Sequence, residues 1–344
     1  MTWRKIIQTG FGGIDRLELH TLTELPEPGA GEVRVRVHAA SAAFTDTIIR
    51  KGMYPDLKQK PPFTPGYDMV GVVDAVGPGV TTLRVGERVA DLTVTGAHAD
   101  YLWLAEDRPT RVPDGVSDAD ALGMILSAVT PWQMLHRVAA LRAGQSLLIH
   151  GAGGAVGTTM LQLARSLGIT AYGTDVAAKH DLIRSLGATP LDANVTAQEA
   201  RSASGGGVDA VFDPLGGDSL PRSRDMLKKG GKLVAFGFQN KVSGRSGSIP
   251  LDLLKLTLWN WLPNGCTTAF YSIGAMRRKH PAWFRDDLAT LFGMLRNGQI
   301  APVIASTYPL EDIHAAHREI EAGTAPGKIM LQIAEADAVS ARVA

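Results

Sequence analysis

Ser146-Leu147-Leu148-Ile149-His150-Gly151-Ala152-Gly153-Gly154-Ala155-Val156-Gly157 decides how this chain is read. Ser146 to His150 is a short apolar strand, the glycines form a tight turn, and 156–167 is a helix with one apolar face. Small residues at 152, 154 and 157 let the turn close and let the helix pack on its strand. They also let backbone N–H groups approach a pyrophosphate, whose charge the helix N-terminus favours. A glycine motif alone is weak evidence, because such a turn can serve packing only. Here a strand precedes it and a helix follows it, and Asp175 closes the next strand about 20 residues on, where a ribose ligand is expected. The spacing predicts a dinucleotide site of Ala152, Gly153, Gly154, Ala155, Val156, Gly157 and Asp175, with Phe238 included in the set.

Outward from that turn, helix and strand alternate. Residues 121–140 are helix-like apart from Pro131, strands are expected at 171–174, 208–213 and 232–237, and helices at 179–186 and 219–227. Parallel strands require crossovers, so this pattern predicts a doubly wound α/β domain with helices on both faces of a parallel sheet. The first third differs. Val33, Val35 and Val37 alternate with Arg34, Arg36 and His38, and 69–76 and 87–92 are β-branched stretches among glycine and proline turn signals. A compact, mostly antiparallel, barrel-like domain is expected there. A helix at 283–297, a strand at 303–308, a helix at 310–322 and a strand at 328–333 are assigned back to that first domain. The expected division is 1–122 completed by 281–344, with 123–280 inserted, and a frayed tail after Glu335.

Composition narrows the function. A chain of 344 residues, 45% apolar and 20% charged, is long enough for two cores. Lys and Arg total 35 against 34 Asp and Glu, so no basic field exists to hold nucleic acid. The single cysteine, Cys266, can form neither an internal disulfide nor a cysteine-based metal site, which suits a reducing cytoplasm. The N-terminus has no secretory core, and the apolar stretch 251–262, interrupted by Lys255 and Asn260, is too short to cross a bilayer. No membrane partner is expected.

Several ordered segments carry a resemblance over nearly the whole chain. They are Glu27-Pro28-Gly29-Ala30-Gly31-Glu32-Val33, Phe44-Thr45-Asp46 through Gly52-Met53-Tyr54, Pro65-Gly66-Tyr67-Asp68-Met69-Val70-Gly71, Val208-Asp209-Ala210-Val211-Phe212-Asp213-Pro214-Leu215-Gly216-Gly217, and Gly327-Lys328-Ile329-Met330-Leu331. Together with the glycine turn they resemble the medium-chain dehydrogenases/reductases, in the quinone oxidoreductase and vesicle-amine-transport-protein-like branch. The resemblance implies a GroES-like catalytic domain with an inserted Rossmann domain, substrate in the cleft between them, and a homodimer. Zinc-dependent relatives hold their metal with a cysteine near 43 and a histidine at 67. This chain has Ala43 and Tyr67 there and no cysteine lobe, so no zinc site is expected.

What remains of the family's chemistry is hydride delivery from NAD(P)H to a quinone or an α,β-unsaturated carbonyl. Tyr54 is the candidate donor to the developing oxyanion, its alternative role being an aromatic wall. Thr130 matches a threonine that faces the nicotinamide, with helix capping as the alternative. Tyr67 and Asp68 fill the old metal corner, as pocket lining or as a buried hydrogen-bonded pair. The family's usual asparagine is replaced by Ala43. For the cofactor, Asp175 favours the ribose hydroxyls of NAD over the 2′-phosphate of NADP, whereas Lys179 matches a basic residue of NADPH-using relatives. NAD is narrowly preferred, and a solvated helix-start lysine is the plain reading of Lys179.

His314 and His317, three apart on a helix, are read as a solvated face rather than a metal site. Arg277-Arg278-Lys279-His280 is read as a solvated turn. Trp259, Trp261, Phe270 and Tyr271 are assigned to core or dimer packing, with a bulky apolar substrate as the lesser reading. Two other functions stay open: reduction of enoyl thioesters of the polyketide type, and NAD(P)H binding without turnover, as in a redox sensor.

Overall fold

The structure, a computed structural model, describes residues 2–263 and 265–334. The tail after Glu335 lies outside them. The chain divides into two compact units, one of Met1–Leu126 with the chain from Ile304, the other of Ser127–Val303.

The first unit is β-rich. Strands β1 (Trp3–Gln8) and β2 (Leu17–Leu22) form an antiparallel hairpin. β3 (Glu32–Ala42), β4 (Met69–Val76), β5 (Arg88–Asp91), β6 (Tyr101–Ala105) and β7 (Thr110–Arg111) join antiparallel, with β3 pairing both β4 and β6. Val33, Val35 and Val37, expected on one face of β3, are all buried, together with Met69, Val73, Val89 and Leu104. β3 runs four residues past the expected His38, because Ala39 to Ala42 pair with a strand that returns from the far end of the chain.

The second unit carries six parallel strands, β8 (Ser146–His150), β9 (Thr170–Asp175), β10 (Thr189–Asp192), β11 (Val208–Asp213), β12 (Leu227–Ala235) and β13 (Thr267–Phe270). Their spatial order is β10-β9-β8-β11-β12-β13, so the chain reverses its direction of travel between β8 and β11. Ligands of open α/β sheets bind at the carboxyl ends of the strands flanking such a reversal. Leu148, Val211, Leu233 and Ala235 anchor the core of this unit.

Beyond it, β14 (Ile304–Pro309) and β15 (Lys328–Gln332) close the first unit, β15 lying antiparallel to β3. The helix Pro281–Arg296 groups with the parallel sheet rather than with the first unit, to which the sequence reading gave it. Asp287 is the reason. This buried carboxylate accepts hydrogen bonds from Trp132 Nε1 (3.0 Å) and Gln133 Nε2 (2.7 Å) and pairs with Arg137 at 2.5 Å, while Phe284, Leu288, Leu291 and Phe292 bury the helix's apolar face. Among the described residues no helix is long and apolar enough to cross a membrane.

Candidate active site

The glycine turn stands at the carboxyl end of β8, beside the reversal. Gly151 has φ +69°, a left-handed conformation that costs an L side chain energy and glycine little. A Cβ on Gly157 would lie 2.5 Å from the carbonyl oxygens of both Gly151 and Ala152, and one on Gly173 would lie 2.4 Å from Ala152 Cβ. Only glycine permits these approaches, which bring the helix Ala155–Ser166 down onto β8 and β9. The end of β9 holds the turn in place. The Thr174 carbonyl accepts from Gly151 N–H (2.9 Å) and Ala152 N–H (3.1 Å), and Asp175 Oδ2 accepts from Gly153 N–H (2.9 Å). Gly154 N–H bonds the Gly151 carbonyl at 3.0 Å. The amides of Ala155, Val156 and Gly157 lie in the first helical turn, where N–H groups lack intrahelical acceptors. Six of the cofactor candidates therefore divide by position: 152–154 shape the turn, and 155–157 form the first turn of the helix. A helix N-terminus brought this close to the strand end by glycine, with its first amides at the carboxyl edge of the sheet, fits a pyrophosphate.

Asp175 and Lys179 are brought together with this turn. Asp175 Oδ1 accepts from Val176 N–H at 2.9 Å and lies 3.7 Å from Lys179 Nζ. Lys179 is only 7% exposed, its stem lying over Gly153, so the solvated reading of this lysine is corrected: the carboxylate and the turn draw it inward. Phe238 is buried just past β12, and its ring stacks on Phe270 with centroids 5.0 Å apart. Thr130 lies inside the helix Asp118–Gln133, not at an end, which removes the capping alternative. Thr130 is 4% exposed, and its buried hydroxyl has no hydrogen-bond partner among the described residues. An unpaired buried hydroxyl costs free energy, and a bound polar group would remove that cost.

In the first unit Tyr54 and Tyr67 meet. Their hydroxyls are 2.5 Å apart and their rings stand edge to face, with Tyr67 buried and Tyr54 half-buried. The backbone of Tyr67 is fixed by Val94, whose N–H bonds the Tyr67 carbonyl at 3.0 Å. Val94 has φ +70°, a strained conformation for a β-branched residue that no sequence signal announced. Asp68 is paired elsewhere, accepting from Ser41 Oγ, Leu126 N–H (3.2 Å) and Lys328 Nζ (3.2 Å). Asp46, in the helix Phe44–Arg50, accepts from Ala43 N–H at 2.9 Å. Its burial pushes its pKa up to about 7. The sequence reading missed Asp46, which looks like any helix-start aspartate.

One further reading is corrected. His317 is buried, with neither ring nitrogen bonded among the described residues, and desolvation holds its pKa well below the ordinary value; His314 Nε2 bonds the Leu17 carbonyl at 2.8 Å. These histidines face the interior because their helix, Ile313–Ala322, packs on β3 and β15. The aromatic cluster divides: Trp259 and Tyr271 are buried, Tyr271 donating to Gln133 Oε1 at 2.9 Å, while Trp261 is 82% exposed.

Comparison with known proteins agrees with this geometry. A family model described as an alcohol dehydrogenase GroES-like domain matches residues 29–114, and one described as a zinc-binding dehydrogenase matches 186–331. The synaptic vesicle membrane protein VAT-1 homolog of Rattus norvegicus is 31% identical over 340 residues, covering 95% of this chain and 83% of that protein. A quinone oxidoreductase structure from Pseudomonas syringae pv. Tomato DC3000 has a TM-score of 0.85 at 28% identity, covering 96% of this chain and 99% of that one. A mycobacterial protein solved in complex with NADPH gives 0.84 at 29% identity over the same shares, 96% and 99%. The chain belongs to the medium-chain dehydrogenase/reductase superfamily of oxidoreductases. Within it, the chain falls in the branch of the quinone oxidoreductases and VAT-1 homologues. Zinc, named in one family description, does not fit the residues present. Ala43 offers no ligand, the Tyr67 hydroxyl is bonded to Tyr54, and among the described residues no group of three or more His, Cys, Asp or Glu could hold a metal ion.

Proposed function

We propose that this protein is a zinc-independent, NAD(P)H-dependent reductase of quinones or α,β-unsaturated carbonyls. The observation that carries the reading is the glycine turn, with its N–H donors on Ala155, Val156 and Gly157, at the reversal of a parallel sheet. Those donors would hold the pyrophosphate, and Asp175 the adenosine ribose. NADH is preferred narrowly over NADPH, since Asp175 would repel a 2′-phosphate and Lys179 would offset only part of that repulsion. The bound nicotinamide supplies a hydride. Thr130, with its unpaired hydroxyl, would orient the nicotinamide end.

Reduction at carbon leaves negative charge on the substrate oxygen, and a phenol within reach can donate a proton there. Tyr54, the less buried of the pair, takes that role. Tyr67, donating its own hydrogen to Tyr54 Oη, would steady the developing phenolate. A homodimer joined along the β13 edge suits the apolar surface beside it, where Leu254, Leu258, Trp261, Leu262 and Phe270 are exposed. A reducing cytoplasm suits the single cysteine.

The test is to titrate the purified protein with NADH and NADPH by calorimetry, then follow absorbance at 340 nm with 9,10-phenanthrenequinone and a panel of enones. Oxidation of the dinucleotide by either class supports the reading. Tight binding without oxidation across the panel would make the protein a binder instead.

A further inference from the structure

Beneath the glycine turn lies a second feature, a buried polar chain that crosses the sheet reversal. His150 ends β8 and Asp213 ends β11, the two strands flanking it. His150 Nδ1 is 2.8 Å from Thr174 Oγ1, His150 Nε2 is 2.9 Å from Ser223 Oγ, and Ser223 Oγ is 2.6 Å from Asp213 Oδ2. All four side chains are buried.

Counting hydrogens fixes the direction of every link. The Asp213 carboxylate only accepts; its Oδ1 already takes Leu215 N–H (2.7 Å) and Gly216 N–H (3.0 Å), so Ser223 spends its one hydrogen on Oδ2. Ser223 Oγ must then accept from His150 Nε2–H. A neutral imidazole has one hydrogen, so Nδ1 accepts from Thr174 Oγ1–H. Burial, the largest influence on His150, favours that neutral ring. The backbone continues the chain, because the Thr174 carbonyl holds the amides of Gly151 and Ala152, and the adjoining Asp175 holds that of Gly153.

We infer that His150 is a positioning residue for the dinucleotide, its imidazole joining the glycine turn to the 213–217 loop through one directed hydrogen-bond chain. This role rests on the dinucleotide reading above. A strand end buried to this degree could have been filled by valine at no polar cost. An imidazole with both nitrogens satisfied instead ties two loops at the carboxyl end of the sheet to a single geometry, and a chain satisfied throughout is rigid.

Two measurements test it. In 15N-histidine-labelled protein at pH 7, long-range proton–nitrogen correlation should show His150, identified by its loss in His150→Gln, as the neutral Nε2–H tautomer. The Nδ1–H tautomer or an imidazolium would overturn the chain. Calorimetry with NADH and with NADPH then compares the wild type with Thr174→Val, Ser223→Ala and Thr174→Ser. Thr174→Val and Ser223→Ala should bind about tenfold more weakly, with kcat at saturating dinucleotide within about twofold, and Thr174→Ser should restore wild-type binding. Ser223→Ala, remote from the turn, serves if Thr174→Val misfolds. Wild-type affinity in both deletions refutes the positioning role alone. Failure of the wild type to bind either dinucleotide refutes the reading beneath it, and the tautomer still reports on the chain itself.

Discussion

Asp46 gives a prediction whose size follows from the fold. Its carboxyl is buried in the helix Phe44–Arg50, with Oδ2 bonded to Ala43 N–H and Oδ1 unpaired among the described residues. Burial lifts its pKa from the ordinary 3.8 to about 7; the Ala43 N–H opposes the rise and the Asp68 charge adds to it. Because the folded value lies above the unfolded one, the unfolded chain loses this proton first as pH rises. The stability it contributes is complete below pH 3.8, declines up to about pH 7, and then levels off. At about 1.36 kcal/mol per pH unit the loss is about 4 kcal/mol. Asparagine cannot ionise, yet it keeps an acceptor for Ala43 N–H. Asp46→Asn should therefore match the wild type near pH 4 and exceed it by about 4 kcal/mol at pH 8. His98 works in the opposite sense. Burial lowers it from 6.5 to about 4, so the stability from its neutral ring is gained as pH rises through that interval. The wild type carries the falling slope of Asp46 together with the rising slopes of His98 and of the likewise depressed His317, whereas the variant keeps only the rising ones, of which His98 supplies about 3 kcal/mol between pH 4 and 6.5. Urea unfolding of both proteins between pH 4.5 and 8 measures this. Parallel curves, separated by a constant amount at every pH, would show that Asp46 does not hold a proton in the folded protein.

Four other outcomes are expected. Tyr54→Phe should lower kcat for quinone or enone reduction about 100-fold and Tyr67→Phe about tenfold, read at 340 nm with dinucleotide binding unchanged; equal activity in both variants would remove the tyrosine pair from the chemistry. Gly157→Ala puts a methyl 2.5 Å from two carbonyl oxygens, and should weaken dinucleotide binding about 100-fold by calorimetry while costing about 1–3 kcal/mol of stability. Asp175→Ser keeps Lys179 and removes the repelling carboxylate, so the KM ratio of NADPH to NADH should fall about tenfold; an unchanged ratio would show that Asp175 does not select the cofactor. If the proposed dimer forms along β13, sedimentation should show dimers for the wild type and monomers for Leu254→Glu with Leu258→Glu, which charges the exposed apolar face beside that strand.

The parallel sheet was legible because its signals are local. Ser146–His150 and Val208–Asp213 have the bounds that their apolar runs suggested, each followed by a turn and then a helix. Strands defined by their neighbours were not legible. Thr189–Asp192 and Thr267–Phe270 are short and sit on the sheet's edges, where pairing with β9 and β12 rather than any apolar run makes them strands. β12 begins at Leu227, five residues before the expected 232, because Leu227 pairs with Val208 across a register shift. The glycine turn and Asp175 could be read from spacing, but the inward turn of Lys179 could not, since spacing records a charge and not the side on which it is neutralised.

The corner around residues 43 and 67 shows what such substitutions require of a fold. With alanine and tyrosine at the positions that the resemblance gives to a metal's cysteine and histidine, two buried carboxylates, Asp46 and Asp68, remain near one another with one buried cation, Lys328. Neither could stay ionised and unpaired at that depth. They are accommodated differently: Asp68 pairs with the buried Lys328 at 3.2 Å, while Asp46, which accepts from the Ala43 N–H, has its pKa lifted by burial to about 7. Lys328 pairs with Asp68 and acts on Asp46 only through its field, which lowers the Asp46 pKa by less than desolvation raises it. Replacing Lys328 with methionine removes a charge that holds the Asp46 pKa down, so the loss of stability with rising pH should extend above pH 7. A loss that still levels off near pH 7 would mean that the Lys328 charge does not reach Asp46.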